Sequence, residues 1–247
     1  MSGYIGKRAA SKETDVVTKP SLILIFAFAF AFFILVPPLL SQPFPPYPSI
    51  HWADVLDLLT PLVLIPLYWL LFTDSGRVAR SHPATIVFLV MAAVWVEGQA
   101  MHLAANSIGN LLGQGSSSVN QLVHYYDEVL SHYLWHAGIL ALSLLLLVYA
   151  ARSPAARARP GWGWIVPAGL LYGLTCFLAF VEGATVPLGL PAAVLIIVSL
   201  IVVLRDRILT HNLVGFFFLG YTVALLLLAA WGIYWKGFPE PSALGLL

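Results

Sequence analysis

Apolar runs of about 20 residues, long enough at 1.5 Å per residue to cross a ~30 Å hydrocarbon layer, follow one another along this chain between short breaks. Seven such runs are predicted as helices, over 21–40, 52–72, 84–110, 121–150, 163–184, 188–204 and 212–235. The breaks are charged or rich in Pro and Gly, and none is long enough to hold a separate soluble domain. The first run follows a polar leader, residues 1–20, and is too long for a signal-peptide core. It ends in PPLLSQPFPPYP rather than a small-residue cleavage site, which marks it as a retained helix. The pattern predicts an all-α integral membrane bundle of seven helices over 21–235, with a short tail from 236 to 247.

Basic residues orient the bundle. Lys7, Arg8, Lys12 and Lys19 precede the first run, and Arg77 and Arg80 separate the second from the third. Arg152, Arg157 and Arg159 follow the fourth, Arg205 and Arg207 follow the sixth, and only Lys236 falls on the other side. The positive-inside rule then places the N-terminus in the cytoplasm and the C-terminus outside, in a plasma or inner membrane.

Composition enters here: 60% of the 247 residues are hydrophobic and 9% charged, far from a soluble domain. The net charge of +1 provides no basic surplus for a nucleic-acid partner. That small total hides a division. Eleven bases and four acids (Glu13, Asp15, Asp74, Asp206) make the predicted inner side +7, and one base with seven acids makes the remainder −6. The single cysteine, Cys176, excludes an intrachain disulfide and reads as a small buried hydrophobe.

Six acids lie inside the predicted spans, Asp54, Asp57, Glu97, Asp127, Glu128 and Glu182, from mid-membrane to the outer face. His51, His102, His124, His132 and His136 share that layer, with no Lys or Arg among them. A carboxylate in hydrocarbon must be protonated, face water or meet a cation. Carboxylates beside imidazoles without fixed bases point to a bound divalent metal, zinc ahead of iron or copper. Simpler roles are expected for some: Asp54 as a cap for the second helix, and His82 and His211 as solvated residues at the cytoplasmic ends.

The third and fourth runs carry the densest pattern. Gln99, His102, Asn106 and Asn110 are spaced three, four and four apart and form one helical face. Glu97 precedes His102 by five residues, about 140° around the helix, and so points roughly opposite. It joins the same site only by meeting another neighbour or through a distortion at Gly98. On the fourth run His124, Glu128, His132 and His136 recur every four residues, bordered by Asp127 and Ser131. Periodicity does not decide which of Asp127 and Glu128 faces the site. Counting from the outer ends, His102 lies ~12 Å deep, Glu128 ~10 Å, His132 ~16 Å, Glu97 ~20 Å and His136 ~22 Å. The two stripes therefore overlap if the spans are antiparallel neighbours. His102, His132, His136 and Glu128 are the candidate metal ligands; Asp127, Glu128 and Glu97 are the candidate catalytic carboxylates. His124, Glu182, Asp57, Asn106 and Gln99 are supporting candidates. Pro61 and Pro66 are expected to bend the second helix.

Over these two spans the chain resembles the seven-span metallohydrolase superfamily of alkaline ceramidases and progestin and adipoQ receptors. His102 and Asp127 stand where that family carries a histidine late in one helix and an aspartate early in the next. The resemblance implies a zinc site and lipid amide hydrolysis. The family's H-x-x-x-H pair belongs to its last helix, whereas here it falls at His132 and His136, and Gly98 replaces the family's serine four residues before His102.

Three functions follow. The first is a metal-dependent hydrolase acting on a membrane-lipid amide or ester; the second is an iron or copper oxidoreductase acting on a lipid or quinone. The third is a metal or proton carrier, against which stand the apolar inner halves of the spans.

Overall fold

A computed structural model describes residues 18–74, 82–113, 115, 117–152 and 160–246 of the chain. Lys7, Arg8, Lys12, Glu13, Asp15, Arg77, Arg80, Arg157 and Arg159, on which much of the charge asymmetry rests, lie outside the described residues. Helices appear at all seven predicted positions: α1 (Pro20–Leu35), α2 (Trp52–Asp74), α3 (His82–Leu112), α4 (Ser118–Arg152), α5 (Trp162–Glu182), α6 (Val186–Ile208) and α7 (Asn212–Trp235). Among the described residues, six of these, α2 to α7, are long and apolar enough to cross a membrane. The chain is thus an all-α, multi-pass membrane protein.

The first helix is shorter than its apolar run, with 16 residues. Pro37 and Pro38 end it, because neither offers an N–H to the preceding turn, and the chain passes into a short 3₁₀ turn over Pro37–Leu39. A second departure follows at once. Pro43–Phe44 and Tyr47–His51 form a small antiparallel hairpin, which hydropathy runs do not reveal. By contrast, α2 runs as one helix through Pro61 and Pro66.

Successive helices alternate in direction. At one end of the bundle the Lys19 N–H donates to Asp74 (3.0 Å), Asn212 accepts from the Gly161 N–H (3.1 Å), and Arg207 reaches the Ala150 carbonyl (2.9 Å). The other end holds the hairpin, the α3–α4 and α5–α6 turns, and the C-terminal tail. Helix α7 packs closely against both α5 and α6, and α1 against α5, while α3 and α4 form a tight antiparallel pair.

Glycine sets the spacing of that pair. A Cβ at Gly98 would stand 2.5 Å from the Trp135 nitrogen and 2.7 Å from the Ser131 carbonyl oxygen; one at Gly138 would meet the Trp95 backbone at 2.8 Å. The two backbones therefore touch where side chains would hold them apart. Gly98 serves this approach, and α3 remains a regular helix through it.

The half of the bundle away from the site is not wholly apolar. The hydroxyls of Tyr68, Ser143, Tyr172 and Tyr221, from α2, α4, α5 and α7, are linked at 3.2–3.4 Å and fully buried. The expectation of apolar inner halves is corrected here. Aromatic rings carry these oxygens, so they do not interrupt a hydropathy run, yet once buried they need partners and find one another.

Candidate functional site

The local geometry of α4 builds the site. Residues Tyr125–Ser131 form a π-helical segment between Ser118–His124 and His132–Arg152. Backbone bonding in this segment runs i→i+5, which widens the turn and shifts the phase of the helix face locally, while Glu128 still reaches His132 four residues on. The Ser131 hydroxyl donates to the Asp127 carbonyl within it.

Side-chain contacts distinguish the two acids that periodicity left open. Asp127 is buried and its Oδ1 lies 2.7 Å from Nδ1 of His102 on α3. With Nδ1 so engaged, Nε2 is the nitrogen left for other chemistry. Glu128 is half exposed, in the wall of the cavity, with Oε2 3.7 Å from Nδ1 of His132. The His102 and His132 rings lie 5.0 Å apart, centre to centre.

These groups border a cavity of about 490 Å³ between α2, α3, α4 and α5. Asp57, Gln99, His102, His124, Glu128, His132 and Glu182 all line it, so seven of the eleven sequence candidates share one space. Its described lining contains no Lys or Arg.

Other candidates stand around it. His136 is buried behind His132, its Nδ1 2.6 Å from the Thr185 hydroxyl and its Nε2 without a hydrogen-bond partner. Asn106 donates to Asp54 Oδ1 at 2.7 Å. The other Asp54 oxygen accepts the His51 N–H at 2.7 Å, so Asp54 caps α2 from its first turn while tying it to α3. Asn106, Asp127, His124 and Glu128 also border a second, amide-rich cavity of about 490 Å³ toward the α3–α4 turn. Glu97 is exposed on the far side of α3, where the 140° offset directs it, and does not line the cavity.

Histidine 211 departs from expectation. It is buried (3% exposed) at the start of α7 rather than solvated. Burial and then the Arg207 guanidinium push its pKa down to about 4. His82 is exposed, as read.

Several site residues had no sequence signal. Gly183, in the α5–α6 turn, leaves room for two imidazoles: a Cβ there would stand 2.9 Å from His136 Cε1 and 3.4 Å from His132 Nδ1. Its neighbour Ala184 adopts a φ of 50°, a strained conformation for alanine. The C-terminal tail also folds back. Trp231 donates to the Pro239 carbonyl (3.1 Å) and the Ser242 N–H to Glu182 (3.2 Å), so Glu240 and Ser242 join the cavity wall. Only the spacing of polar residues within helices was readable beforehand; turns brought in from elsewhere carry no such period.

The arrangement can be tested against a metal. With nitrogen–metal distances of 2.0–2.1 Å and a tetrahedral angle, two imidazoles sharing an ion have ring centres about 5 Å apart. The His102–His132 separation of 5.0 Å fits. Among the described residues, no three His, Cys, Asp or Glu side chains are grouped as an ion site as they stand. A third ligand therefore requires rotation of a side chain, and half-exposed Glu128, already beside His132, is one carboxylate of the wall placed to supply it.

No family model, curated protein or solved structure matches this chain.

Proposed function

We propose that this protein is a membrane-embedded, metal-dependent hydrolase of a lipid amide or ester, with α1 as a seventh span, its N-terminus cytoplasmic and its cavity toward the outer face. The carrying observation is the Asp127–His102 pair at 2.7 Å with a second imidazole 5.0 Å beyond it at the wall of a polar cavity. A carboxylate that fixes one nitrogen of a histidine while the other meets an ion is the usual support of such a ligand.

In this reading His102 and His132 hold the ion, Glu128 completes or adjoins it, and Asp127 orients His102. The ion, zinc ahead of iron or copper, supplies Lewis acidity and lowers the pKa of water. Glu128 accepts a proton from the attacking water as its oxygen bonds to the carbonyl carbon. The same proton passes to the departing nitrogen or oxygen as the acyl bond breaks. His136, held by Thr185, supports His132 from behind.

Metal analysis of the purified protein in detergent, wild type beside His132→Ala and Glu128→Ala, tests this. Stoichiometric zinc that falls in both variants is expected. Iron or copper with a visible absorption band would instead favour oxidation chemistry on a lipid or quinone. Folded protein free of metal in every preparation would overturn the reading.

A further inference from the structure

Helices α2 and α3 enclose a second kind of space on their side away from the bundle. It is a groove of about 570 Å³, lined by Leu58, Leu62, Ile65, Val96, Ala100 and Leu103 among others, and almost entirely apolar. On each helix, cavity and groove residues are interleaved. Asp57 and Thr60 face the polar cavity while Leu58 and Pro61 face the groove; His102 faces the cavity while Leu103 faces the groove. Gln99 borders both. Its side chain is buried and accepts at 3.4 Å from the Trp95 indole one turn back on the same helix, which holds it against α3 at the boundary of the two spaces. The prolines of α2 line the groove, where they lay apolar ring against the gap.

A polar cavity joined through one amide to an apolar groove matches an amphiphile lying across it. We infer that the α2–α3 groove binds the hydrocarbon chain of the molecule whose head occupies the cavity, entering sideways from the bilayer past Gln99. The volume is within the range of ordinary ligand sites. The charge of the cavity selects the head. Asp57, Glu128, Glu182 and Glu240 line it without a Lys or Arg, and their formal charge exceeds that of one divalent ion, so an anionic phosphate meets net repulsion. A neutral or amine-bearing head meets acceptors. The ligand is therefore a long-chain neutral or cationic amphiphile, and anionic lipids are excluded. This rests on the proposed hydrolase only for the identity of the cavity as the reacting site.

The test requires neither turnover nor metal. Hexadecylamine carrying a mid-chain diazirine is photolysed with the full-length protein in detergent, and cross-links are mapped by mass spectrometry. Saturable labelling of 58–66 and 96–104 is expected, competed by hexadecanol and unlabelled hexadecylamine but not by hexadecyl phosphate. Ala100→Trp and Ala104→Phe, at exposed positions that fill the groove without entering the core, should each abolish it while far-ultraviolet circular dichroism is unchanged. Labelling that is unsaturable, or spread equally over all lipid-facing helices, overturns the chain site. Competition by hexadecyl phosphate as strong as by hexadecanol overturns the head selection. Saturable labelling of a protein that contains no metal keeps the groove and removes the hydrolase; metal without saturable labelling does the reverse.

Discussion

Nδ1 of His102 and Oδ1 of Asp127, on neighbouring antiparallel helices, lie 2.7 Å apart in a chain where the intervening turn spans only a few residues. Two local features accompany the pair: glycine contacts that let α3 lie against α4, and a π-helical segment that carries Asp127.

Replacing Asp127 by Asn keeps the shape and removes the charge that fixes His102. If His102 holds a metal, affinity should fall about 10- to 100-fold, as for loss of a ligand's supporting carboxylate. Competitive metal titration of the purified variant measures this. Unchanged affinity would mean that His102 is not a ligand.

The glycine contact makes a sharper prediction. Gly98→Ala places a carbon against the Trp135 and Ser131 backbones, and overpacking of this kind costs about 1–3 kcal/mol. Gly163→Ala, where a new Cβ meets nothing within 4 Å, should be neutral or slightly stabilising. Thermal unfolding of the two variants in detergent gives the comparison.

Asp54 accepts from both the His51 N–H and Asn106 while almost fully buried. Asp54→Ala leaves the Asn106 amide unsatisfied as well as uncapping α2, a loss of about 1–3 kcal/mol. Asn106→Leu, which removes the amide but not the cap, should cost less. Denaturant midpoints would rank them, and equal losses would assign the whole effect to the link between helices.

His211 provides a pH signature outside the spans. Its folded pKa, about 4, is below the ordinary value of 6.5, so the unfolded chain binds the extra proton first. The stability linked to neutral His211 is fully present above pH 6.5 and is lost as pH falls through 6.5 toward 4. The wild type should lose up to about 3 kcal/mol over that window from this group. His211→Gln should flatten the decline, measured as melting temperature against pH; parallel curves for the two proteins would exclude the effect.

The seven helices, the polar stripes and the offset of Glu97 followed from the sequence, because hydropathy and the 3.6-residue turn act along a single helix. So did the gathering of His102, Glu128 and His132, since consecutive helices joined by a short turn can pack in few ways. What only tertiary structure decided was everything set between elements or by departure from regular geometry. Asp127 rather than Glu128 met His102, from within a π-helical segment. Gly183, Ala184 and the returning tail closed the cavity from distant parts of the chain. The hydroxyl cluster took partners that no local period encodes, and packing buried His211. Sequence patterns report the environment averaged along a helix; they do not report which neighbour supplies it, and that choice depends on packing.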